Sequence, residues 1–487
     1  MVFLKNKSLY LINALVFLSI FNFTSCKSSK HKKESLEHNQ IDENIDNNID
    51  SIKEKHIIFD KKTMLNVRDF GAKGDFIHDD TKAIQSCFNE LQKKGEGIVY
   101  FPKGVYKISR TDKPGKAYCL LGIDNISIIG ESRKGSIIKL AQQQKNFTRM
   151  LVFEGNKNVK IENITFDGNV SSQVNPEKPN EHLGGIFIDH SSNVNISNAN
   201  FVNTGGDGIG IRGVKVPSSN INIQNCYFNK NQRNGITLGS GFKDILIENN
   251  FFGKDIDDSP IDSEPENGIA KNVKIYDNVI YTPTLLTLGG NKRCVGSNFD
   301  IKNNKLYNCS VFIHKADSLY FKNNTIKINK SKRAAITFLG SNTNVFIENN
   351  IIEIREKPAF YMVKTQHSKY APSDIVIKNN KIKVEGSKAF DIRGANKILI
   401  SDNDIISNNG KVGIYCFSNY PMNDIVIKGN RIKGFEKGVR LNAYKNNPIR
   451  NVKIKQNRFD SVRMRVDAKL NGVQSKELLK GLKIDKN

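Results

Sequence analysis

Short stretches in which apolar and polar residues alternate recur along most of the chain, and each ends in a pair of turn residues. In DILIENNF, which begins at Asp244, the alternating half is followed by two Asn residues and a further apolar position. The second turn residue is Asn in nine copies, at Asn250, Asn278, Asn304, Asn324, Asn350, Asn380, Asn403, Asn430 and Asn457. Successive copies are 20 to 30 residues apart. Three earlier copies keep only the first Asn, at Asn163, Asn198 and Asn225.

This repeat predicts a solenoid. A period of about 25 residues, made of short strands with no helical pattern between them, is typical of proteins that stack one coil on the next. Asn tolerates a left-handed turn conformation, and stacked amides hydrogen-bond to each other. At about 4.8 Å per coil, the inward Ile, Val, Leu and Phe side chains form one long core. We therefore predict an all-β fold, a right-handed parallel β-helix of roughly a dozen coils.

A second phrase repeats in step with the Asn turns and predicts which side chains face solvent. In GIGIR at Gly208 and PIDSE at Pro260 the third and fifth residues point outward, because side chains alternate along a strand. Coil by coil these positions hold Phe187 and Asp189, Gly210 and Arg212, Thr237 and Gly239, Asp262 and Glu264, Thr287 and Gly289, Phe312 and His314, and Thr337 and Leu339. The small residues in this series predict a trough around Asp262 and Glu264.

Asp262 and Glu264 are the strongest candidates for catalysis. Two residues apart on one strand, their Cα atoms lie about 6.6 Å apart with both side chains on one face. Carboxylates near that separation can act as acid and base across a glycosidic bond, as inverting hydrolysis requires. The same pair could instead bind Ca²⁺ that neutralises a uronate before Lys or Arg abstracts a proton. The sequence leaves both chemistries open.

Other charged residues of this face are candidates for the same site. Arg212 is expected two coils before the acidic pair and His314 two coils after it, each about 10 Å away. Arg212 could bind a sugar carboxylate or sulfate bidentately, and His314 could act as an acid or a base. Substrate binding is also assigned to Asp189, Lys292 and Arg293, of which the last two could serve as a lyase base.

The segment before the repeats resembles a known module. LNVRDFGAKGD at Leu65, DDTKAIQ and GIVYFPKGVYKIS predict a strand, a helix and a strand pair that cap the first coil. They are similar to the N-terminal module of the pectate-lyase-like superfamily, which includes polygalacturonases, rhamnogalacturonases and alginate epimerases. The resemblance implies a β-helix that acts on polysaccharides, but the Asn-Thr-Asp and Gly-His-Gly motifs of its hydrolase branch are not found in order. Cys87 and Cys119 are considered as a disulfide of this cap.

The first 62 residues are predicted to direct the chain out of the cytoplasm. Residues 1–25 place Lys5 and Lys7 before an apolar run and resemble a lipoprotein signal peptide. FTSC resembles a lipobox, so Cys26 is the predicted lipidation site and anchors the protein at the outer membrane or cell surface, with the periplasmic face as an alternative. Residues 26–62 are predicted to form a flexible tether.

The remaining boundaries follow from the repeat. Residues 63–125 are predicted to cap the β-helix, residues 126–465 to form it, and residues 466–487 to make a C-terminal cap or tail that includes a short helix at Ser475–Leu482. One unbroken repeat indicates a single folded body, which we expect to be a monomer.

The net charge of the chain indicates the class of its binding partner. Lys and Arg exceed Asp and Glu by 25, which favours an anionic partner. No helix with clustered Arg and no nucleic-acid module is recognisable, so an acidic polysaccharide is preferred to nucleic acid. The sequence thus predicts a secreted, membrane-anchored hydrolase or lyase of an anionic polysaccharide, with Ca²⁺ as the one cofactor considered. The alternatives are a non-catalytic glycan-binding adhesin and a polysaccharide epimerase.

Overall fold

The computed structural model describes the chain from Thr63 onward, with short gaps. The described ranges are 63–111, 118–144, 148–174, 183–291, 293–365, 368, 370–444, 446–471 and 480–484, and of 469–471 only the backbone is described. They belong to one compact unit, Ile58–Asn487. The predicted signal peptide and tether lie outside the described residues, as does most of the predicted C-terminal helix.

Three stacks of parallel strands, here sheets A, B and C, surround a common core, and the strands are numbered β1 to β43 in chain order. Sheet A contains sixteen strands within the described ranges, each hydrogen-bonded to the strand one coil away. They are β1 Met64–Asn66, β3 Gly97–Phe101, β6 Ile126–Gly130, β9 Lys157–Glu162, β12 Ser192–Ser197, β15 Ser218–Gln224, β18 Phe242–Glu248, β21 Ala270–Tyr276, β24 Gly296–Lys302, β27 Ala316–Lys322, β30 Thr343–Glu348, β33 Ser373–Lys378, β36 Asn396–Ser401, β38 Met422–Lys428, β40 Ile449–Lys455 and β43 Lys483–Ile484.

Sheets B and C take the other strands and merge at β37 and β39. Sheet B consists of β2 Asp75–Asp79, β4 Gly104–Ile108, β7 Ser136–Leu140, β10 Thr165–Asp167, β13 Asn200–Val202, β16 Tyr227–Asn229, β19 Phe251–Phe252, β22 Val279–Ile280, β25 Lys305–Tyr307, β28 Thr325–Ile328, β31 Ile351–Arg355, β34 Lys381–Glu385, β41 Arg458–Asp460 and the first halves of β37 Asp404–Phe417 and β39 Arg431–Tyr444. Sheet C consists of the second halves of β37 and β39 with β5 Tyr118–Leu121, β8 Arg149–Glu154, β11 Ile186–Asp189, β14 Ile209–Arg212, β17 Asn234–Leu238, β20 Ser259–Ser263, β23 Leu285–Gly289, β26 Ser310–His314, β29 Ile336–Leu339, β32 Phe360–Val363, β35 Lys388–Ile392 and β42 Met464–Asn471.

The chain passes from sheet A to B to C once in each coil, which confirms the predicted right-handed parallel β-helix with about 14 turns. Strand pairing already starts at β1, so the segment predicted as a cap contributes strands to the stacks before Ile126. At the other end β42 is paired with β39 and continues sheet C to Asn471.

Alternating apolar residues build the core as the sequence pattern requires. In β18, for example, Phe242, Ile245 and Ile247 are fully buried while the residues between them are not. Aromatic rings also align from coil to coil, and the rings of Phe166, Phe201, Phe228 and Phe252 stack with centroids 5.4, 5.2 and 4.9 Å apart. Each coil therefore buries its apolar surface against its neighbours, which a single coil cannot do alone.

The two Asn residues of each pair have different functions, which the sequence analysis did not distinguish. The first residue of each pair adopts the left-handed conformation, as Asn249 and Asn349 do at φ 52° and 58°. The second is buried and forms the ladder: Asn324 Nδ2 donates to Asn350 Oδ1 at 3.2 Å, and Asn350 Nδ2 donates to Asn380 Oδ1 at 2.9 Å. The three early copies have only the left-handed Asn, so the ladder starts at Asn250.

One α-helix, α1 Thr81–Lys94, covers the start of the core. Its buried face consists of Ile84, Cys87, Phe88 and Leu91, with Ala83 partly buried beside them. Cys87 and Cys119 are both buried and free, so the disulfide considered for this cap is not formed. In the described ranges no helix has the length and apolar character needed to cross a membrane.

Candidate active site

The register of sheet C places the predicted outward residues in two columns. Thr237, Asp262 and Thr287 are direct partners on three successive strands, and the same column continues through Phe312 to Thr337. In the second column Gly289 is the partner of His314. The coil-to-coil alignment of these positions is as predicted; Asp262, Glu264, Thr287 and His314 are partly exposed, whereas Thr237 and Gly289 are buried.

An arginine that the sequence analysis did not select lies between Asp207 and Glu264. Arg233 immediately precedes β17, and its Nη2 donates to Glu264 Oε1 at 2.6 Å. Its Nη1 donates to both carboxylate oxygens of Asp207, at 3.1 and 2.8 Å. The side chains of Arg233 and Asp207 are only 17% and 9% exposed, so this ion-pair network is largely shielded from water. We refer to Asp207, Arg233, Asp262 and Glu264 as the carboxylate cluster.

Burial shifts the two most enclosed carboxyl groups of the cluster toward their neutral forms. Desolvation raises the pKa of Asp262 to about 8, and the nearby charges of Glu264 and Asp258 add to that rise while Arg233 opposes it. Desolvation likewise raises the pKa of Asp207 to about 6, against the attraction of Arg233. Near neutral pH, Asp262 is therefore largely protonated.

Asp262 and Glu264 have different surroundings although they are neighbours. Glu264 accepts a 2.6 Å hydrogen bond from the guanidinium of Arg233. The Asp262 carboxyl is only partly exposed, and its raised pKa favours the protonated form near neutral pH. Two carboxyl groups on one face, one able to donate a proton and one able to accept it, form the set required for general acid–base chemistry.

Arg212 and Asp189, both predicted to bind substrate, are partners of each other. The Nε and Nη2 of Arg212 lie 3.1 and 3.0 Å from Asp189 Oδ2, and the guanidinium lies 5.2 Å from the ring centre of Phe187. Asp189 also lies 3.3 Å from His190 Nδ1. Arg212 remains about half exposed, so it can still contact a ligand beside the carboxylate cluster.

His314 lies two coils from Asp262, as predicted. Its Nδ1 is 3.0 Å from the carbonyl oxygen of Gly290, and because a carbonyl only accepts, Nδ1 carries the hydrogen and Nε2 has the lone pair. Burial lowers the pKa of His314, assisted by the charge of Lys315. The structure therefore presents a neutral imidazole about 10 Å from the acidic pair, too far to hydrogen-bond to either acid.

The other two predicted substrate-binding residues, Lys292 and Arg293, follow β23 in the sequence. Arg293 is exposed in the turn after β23. Lys292 lies outside the described residues, as does the predicted lipidation site, Cys26.

The small residues that predicted a trough are in close contact with their neighbours. A Cβ on Gly210 would lie 3.0 Å from the ring of Phe187, so this glycine makes room for that ring. Thr237 is buried and accepts a hydrogen bond from Asn234 Nδ2 at 2.9 Å. Gly289 has a φ of 106°, and a Cβ there would lie 2.2 Å from the carbonyl oxygen of His314. Small residues here serve packing and turn geometry as well as access.

The carboxylate cluster does not fit Ca²⁺ in the arrangement observed. The Arg233 guanidinium already lies between Asp207 and Glu264, where a bridging cation would have to bind. Ca²⁺ at Asp262 would also have to displace the proton that this carboxyl holds near neutral pH in the metal-free site. Within the described ranges no group of three or more His, Cys, Asp or Glu side chains is arranged to hold a metal.

Arg233 was missed because it lies in the turn before β17, outside the repeated phrase that begins at Gly208 or Gly235. Asp207 and Asn234 occupy the same position one coil apart, just before that phrase, and Asn234 N donates to Asp207 Oδ1 at 3.3 Å.

Three family models match parts of the chain. "Rhamnogalacturonase A/epimerase, pectate lyase-like" covers residues 64–158, "Right handed beta helix region" covers 149–352, and "Periplasmic copper-binding protein (NosD)" covers 290–426. The first includes the N-terminal motifs, and the second includes the whole carboxylate cluster.

Relatives with named activities match about a fifth of the chain. Mannuronan C5-epimerase AlgE2 of Azotobacter vinelandii is 36% identical over 108 residues, which are 21% of this chain and 11% of that protein. Alginate lyase 7 of the same species is 35% identical over 108 residues, 21% of this chain and 12% of that protein. The matches thus span only about a tenth of these relatives.

A solved structure resembles most of the chain. The A-module of mannuronan C-5 epimerase AlgE6 from Azotobacter vinelandii superimposes with a TM-score of 0.55 at 18% identity, and the match covers 87% of this chain and 99% of that one. This likeness establishes the fold.

Proposed function

Because the chain belongs to the pectate-lyase-like superfamily of right-handed parallel β-helices, we propose that it is a polysaccharide-modifying enzyme whose active site is the carboxylate cluster. One observation carries the proposal: Asp262 and Glu264 share one face of sheet C, where desolvation raises the pKa of Asp262 and the guanidinium of Arg233 holds Glu264 in place. A carboxyl group with a strongly raised pKa beside specific charged partners is typical of acid–base active sites.

The reaction that this pair supports best is hydrolysis of a glycosidic bond. Asp262 donates its proton to the bridging oxygen as the bond from that oxygen to the anomeric carbon breaks. Water attacks the anomeric carbon, and Glu264 accepts the proton that the water loses. Arg233 positions Glu264 through the 2.6 Å hydrogen bond, and Asp207 holds Arg233 in place.

The proposed substrate is an anionic polysaccharide. The chain carries a formal net charge of +25, which attracts polyanions over long distances. A neutral Asp262 also places less negative charge next to an acidic sugar than an ionised one would. The relatives named for mannuronan and alginate act on polymers of uronic acids, and we include such polymers among the substrates to be tested.

A second candidate is proton abstraction from a uronate, as in a lyase or epimerase. Similarity to epimerases and to an alginate lyase favours it, and so does the neutral His314, whose Nε2 has a free lone pair for the role of base. In that reaction Asp262 would donate a hydrogen bond to the sugar carboxylate. The alternative of a non-catalytic adhesin requires that the chain bind a polysaccharide without forming any product from it.

One experiment separates these candidates. The chain from Thr63 onward is incubated with alginate, polygalacturonate and sulfated polysaccharides, with and without EDTA, and the products are followed in three ways. New reducing ends without ultraviolet absorbance indicate hydrolysis, absorbance from unsaturated uronates indicates a lyase, and altered proton NMR signals at constant chain length indicate an epimerase. Binding without product supports the adhesin alternative. Loss of activity in EDTA would contradict our conclusion that the cluster does not hold Ca²⁺.

Single substitutions test whether the enzymatic activity depends on the carboxylate cluster. We expect Asp262→Asn and Glu264→Gln each to lower kcat by about 10²- to 10⁴-fold, the usual contribution of an acid or base. Asp300→Asn is the matched control, because Asp300 is a partly exposed acid of β24 on sheet A and lies away from the cluster. Equal losses in all three variants would refute the assignment.

We also propose that the protein is exported and anchored through lipid on Cys26. The resemblance of FTSC to a lipobox supports this proposal. Metabolic labelling with a fatty acid should mark the wild-type chain and not Cys26→Ala, and the variant should leave the membrane fraction. A labelled Cys26→Ala chain would refute the anchor.

A further inference from the structure

A second concave site lies near the C-terminal end of sheet C, remote from the carboxylate cluster. It is a depression of about 460 Å³, formed where the chain turns after β37 and β39. Its lining consists of Phe417, Ser418, Asn419, Tyr420, Tyr444 and Asn447. Three aromatic rings beside amide and hydroxyl groups give the lining both apolar faces and hydrogen-bonding groups, a combination typical of sites for small polar ligands.

The walls of this aromatic pocket are held in place by hydrogen bonds and ring contacts. Ser418 Oγ accepts from Tyr444 N at 3.0 Å, and Asn447 Nδ2 donates to the carbonyl oxygen of Asn419 at 2.9 Å. The rings of Phe417 and Tyr444 meet edge to face, with centroids 5.2 Å apart and an angle of 75°. Most of these contacts join two successive coils, so the pocket is formed before any ligand binds.

Positive charge surrounds the aromatic pocket. The Arg393 guanidinium lies 5.6 Å from the ring centre of Phe417, and Lys364 Nζ lies 5.5 Å from that of Tyr420. Arg393 is also paired with buried Asp391, whose Oδ1 is 3.1 Å from Arg393 Nε. These cations rest beside aromatic rings, and an acidic ligand in the pocket would lie within reach of both.

The aromatic pocket and the carboxylate cluster lie on the same face. Phe417 belongs to the column that contains Glu264 and His314. The register carries that column from His314 through Leu339 to Val363. Met362, Ile392 and Cys416 are successive partners, so the residues that follow them, Val363, Arg393 and Phe417, continue the column. Six coils separate Glu264 from Phe417, which is about 29 Å. A polymer that runs along sheet C can therefore contact both, whereas a short oligosaccharide cannot.

We propose that the aromatic pocket is a second glycan-binding site, which binds a sugar ring of an anionic polysaccharide and holds the polymer along sheet C. The ring stacks on Tyr420 or Tyr444, its hydroxyl groups bond to Asn419 and Asn447, and its acidic group faces Arg393 and Lys364. The substrate class rests on the proposed function, but binding at the pocket does not require that the cluster cleave anything.

Binding is measured on a chain that cannot cleave. Asp262→Asn is combined with Tyr420→Ala and Tyr444→Ala, and affinity electrophoresis in gels containing alginate or polygalacturonate gives the dissociation constant. We expect the two Tyr substitutions to weaken polymer binding at least tenfold. Tyr320→Ala is the matched control, because Tyr320 stacks on Phe346 at 5.1 Å on sheet A and is not part of the aromatic pocket. Unchanged binding in the double Tyr variant would overturn the proposal.

A kinetic readout separates this site from the catalytic one. In the background with intact Asp262 we expect the double Tyr variant to have a higher KM for long polymers and an unchanged kcat/KM for short oligosaccharides. Equal losses on long and short substrates would overturn the proposal. If the pocket variants lose polymer binding but the wild-type chain forms no product, the second site stands and the proposed enzymatic function fails.

Discussion

Arg233 Nη2 lies 2.6 Å from Glu264 Oε1, across two neighbouring coils. Glu264 follows β20, while Arg233 precedes β17, so their contact depends on the correct stacking of those coils. The same guanidinium binds Asp207 through two hydrogen bonds. One cation therefore fixes the positions of two carboxylates on this face.

Replacing Arg233 by Met is expected to cost both activity and stability. The change leaves Asp207 buried without its cation, and breaking a buried ion pair in this way costs about 3–5 kcal/mol. Glu264 also loses the group that positions it, so kcat should fall by about 10²-fold. Urea unfolding and initial rates measure the two effects.

Arg212→Met provides the comparison. Arg212 is about half exposed and paired with Asp189, and such pairs contribute less than about 1 kcal/mol. A loss of stability in Arg212→Met that equals that of Arg233→Met would contradict the role assigned to burial.

Asp262→Asn is expected to stabilise the protein at alkaline pH. The pKa of Asp262 is about 8 in the folded chain, raised from 3.8, so between these values the folded state retains a proton that the unfolded state releases. Stability from this group is thus complete below about pH 4 and is lost as pH rises toward 8. Asn imitates the protonated acid and does not titrate.

The measurement is the urea midpoint of the wild-type and Asp262→Asn chains at pH 5 and pH 9. The variant should gain stability relative to the wild type at the higher pH. A difference that is the same at both pH values would show that Asp262 does not keep its proton in the folded state.

The rate of cleavage should fall as pH rises beyond about 8, because Asp262 then loses the proton that it must donate. For a lyase or epimerase that uses His314 as its base, the rate should instead rise with pH in the acidic range. The reason is that His314 must be neutral to accept a proton, and burial lowers its pKa. The pH profile of kcat/KM, with His314→Gln alongside, distinguishes the two. A rate that keeps rising above pH 8 would exclude Asp262 as the acid.

Asn350→Leu tests the buried ladder. The substitution leaves Asn324 N without its acceptor and removes one of the acceptors of Asn324 Nδ2. It also removes the bonds from Asn350 Nδ2 to Phe321 O and Asn380 Oδ1. Buried donors without partners cost about 1–3 kcal/mol each, so we expect a loss of about 2–4 kcal/mol in urea unfolding.

Asn329→Ala is the control for the ladder, because Asn329 is exposed and such substitutions usually change stability by less than about 0.5 kcal/mol. Equal effects at the two positions would mean that the stacked amides contribute nothing beyond their side-chain volume.

The repeat made the fold and one face of the site predictable. The alternation of apolar and polar residues indicated which residues of PIDSE point outward. The spacing of the Asn turns indicated which coils are neighbours. Together they placed Asp262 two coils from His314. Arg233 was not predictable by that reasoning, since turn residues between strands do not obey alternation and their side chains can reach across a coil. The proton state of Asp262 also depends on burial that only packing determines.

The division of the paired Asn residues was missed for a similar reason. Both positions carry the same residue type in copies such as Asn349 and Asn350, so composition alone does not show which one takes the left-handed backbone and which one faces the core. Copies that have Asp277, Gly429 or Gln456 in the first position show that only the second position requires an amide.

The Asn ladder also has an electrical direction. Every amide from Asn250 to Asn430 turns its oxygen toward the preceding coil and its NH₂ toward the following one. The side-chain dipoles therefore add along the axis, and each bond polarises the next. The negative end of the combined side-chain dipole lies at the coil of Asn250, and the positive end lies at the coil of Asn457. A substitution in its middle would divide one long dipole into two short ones, so its effect should reach coils that it does not touch.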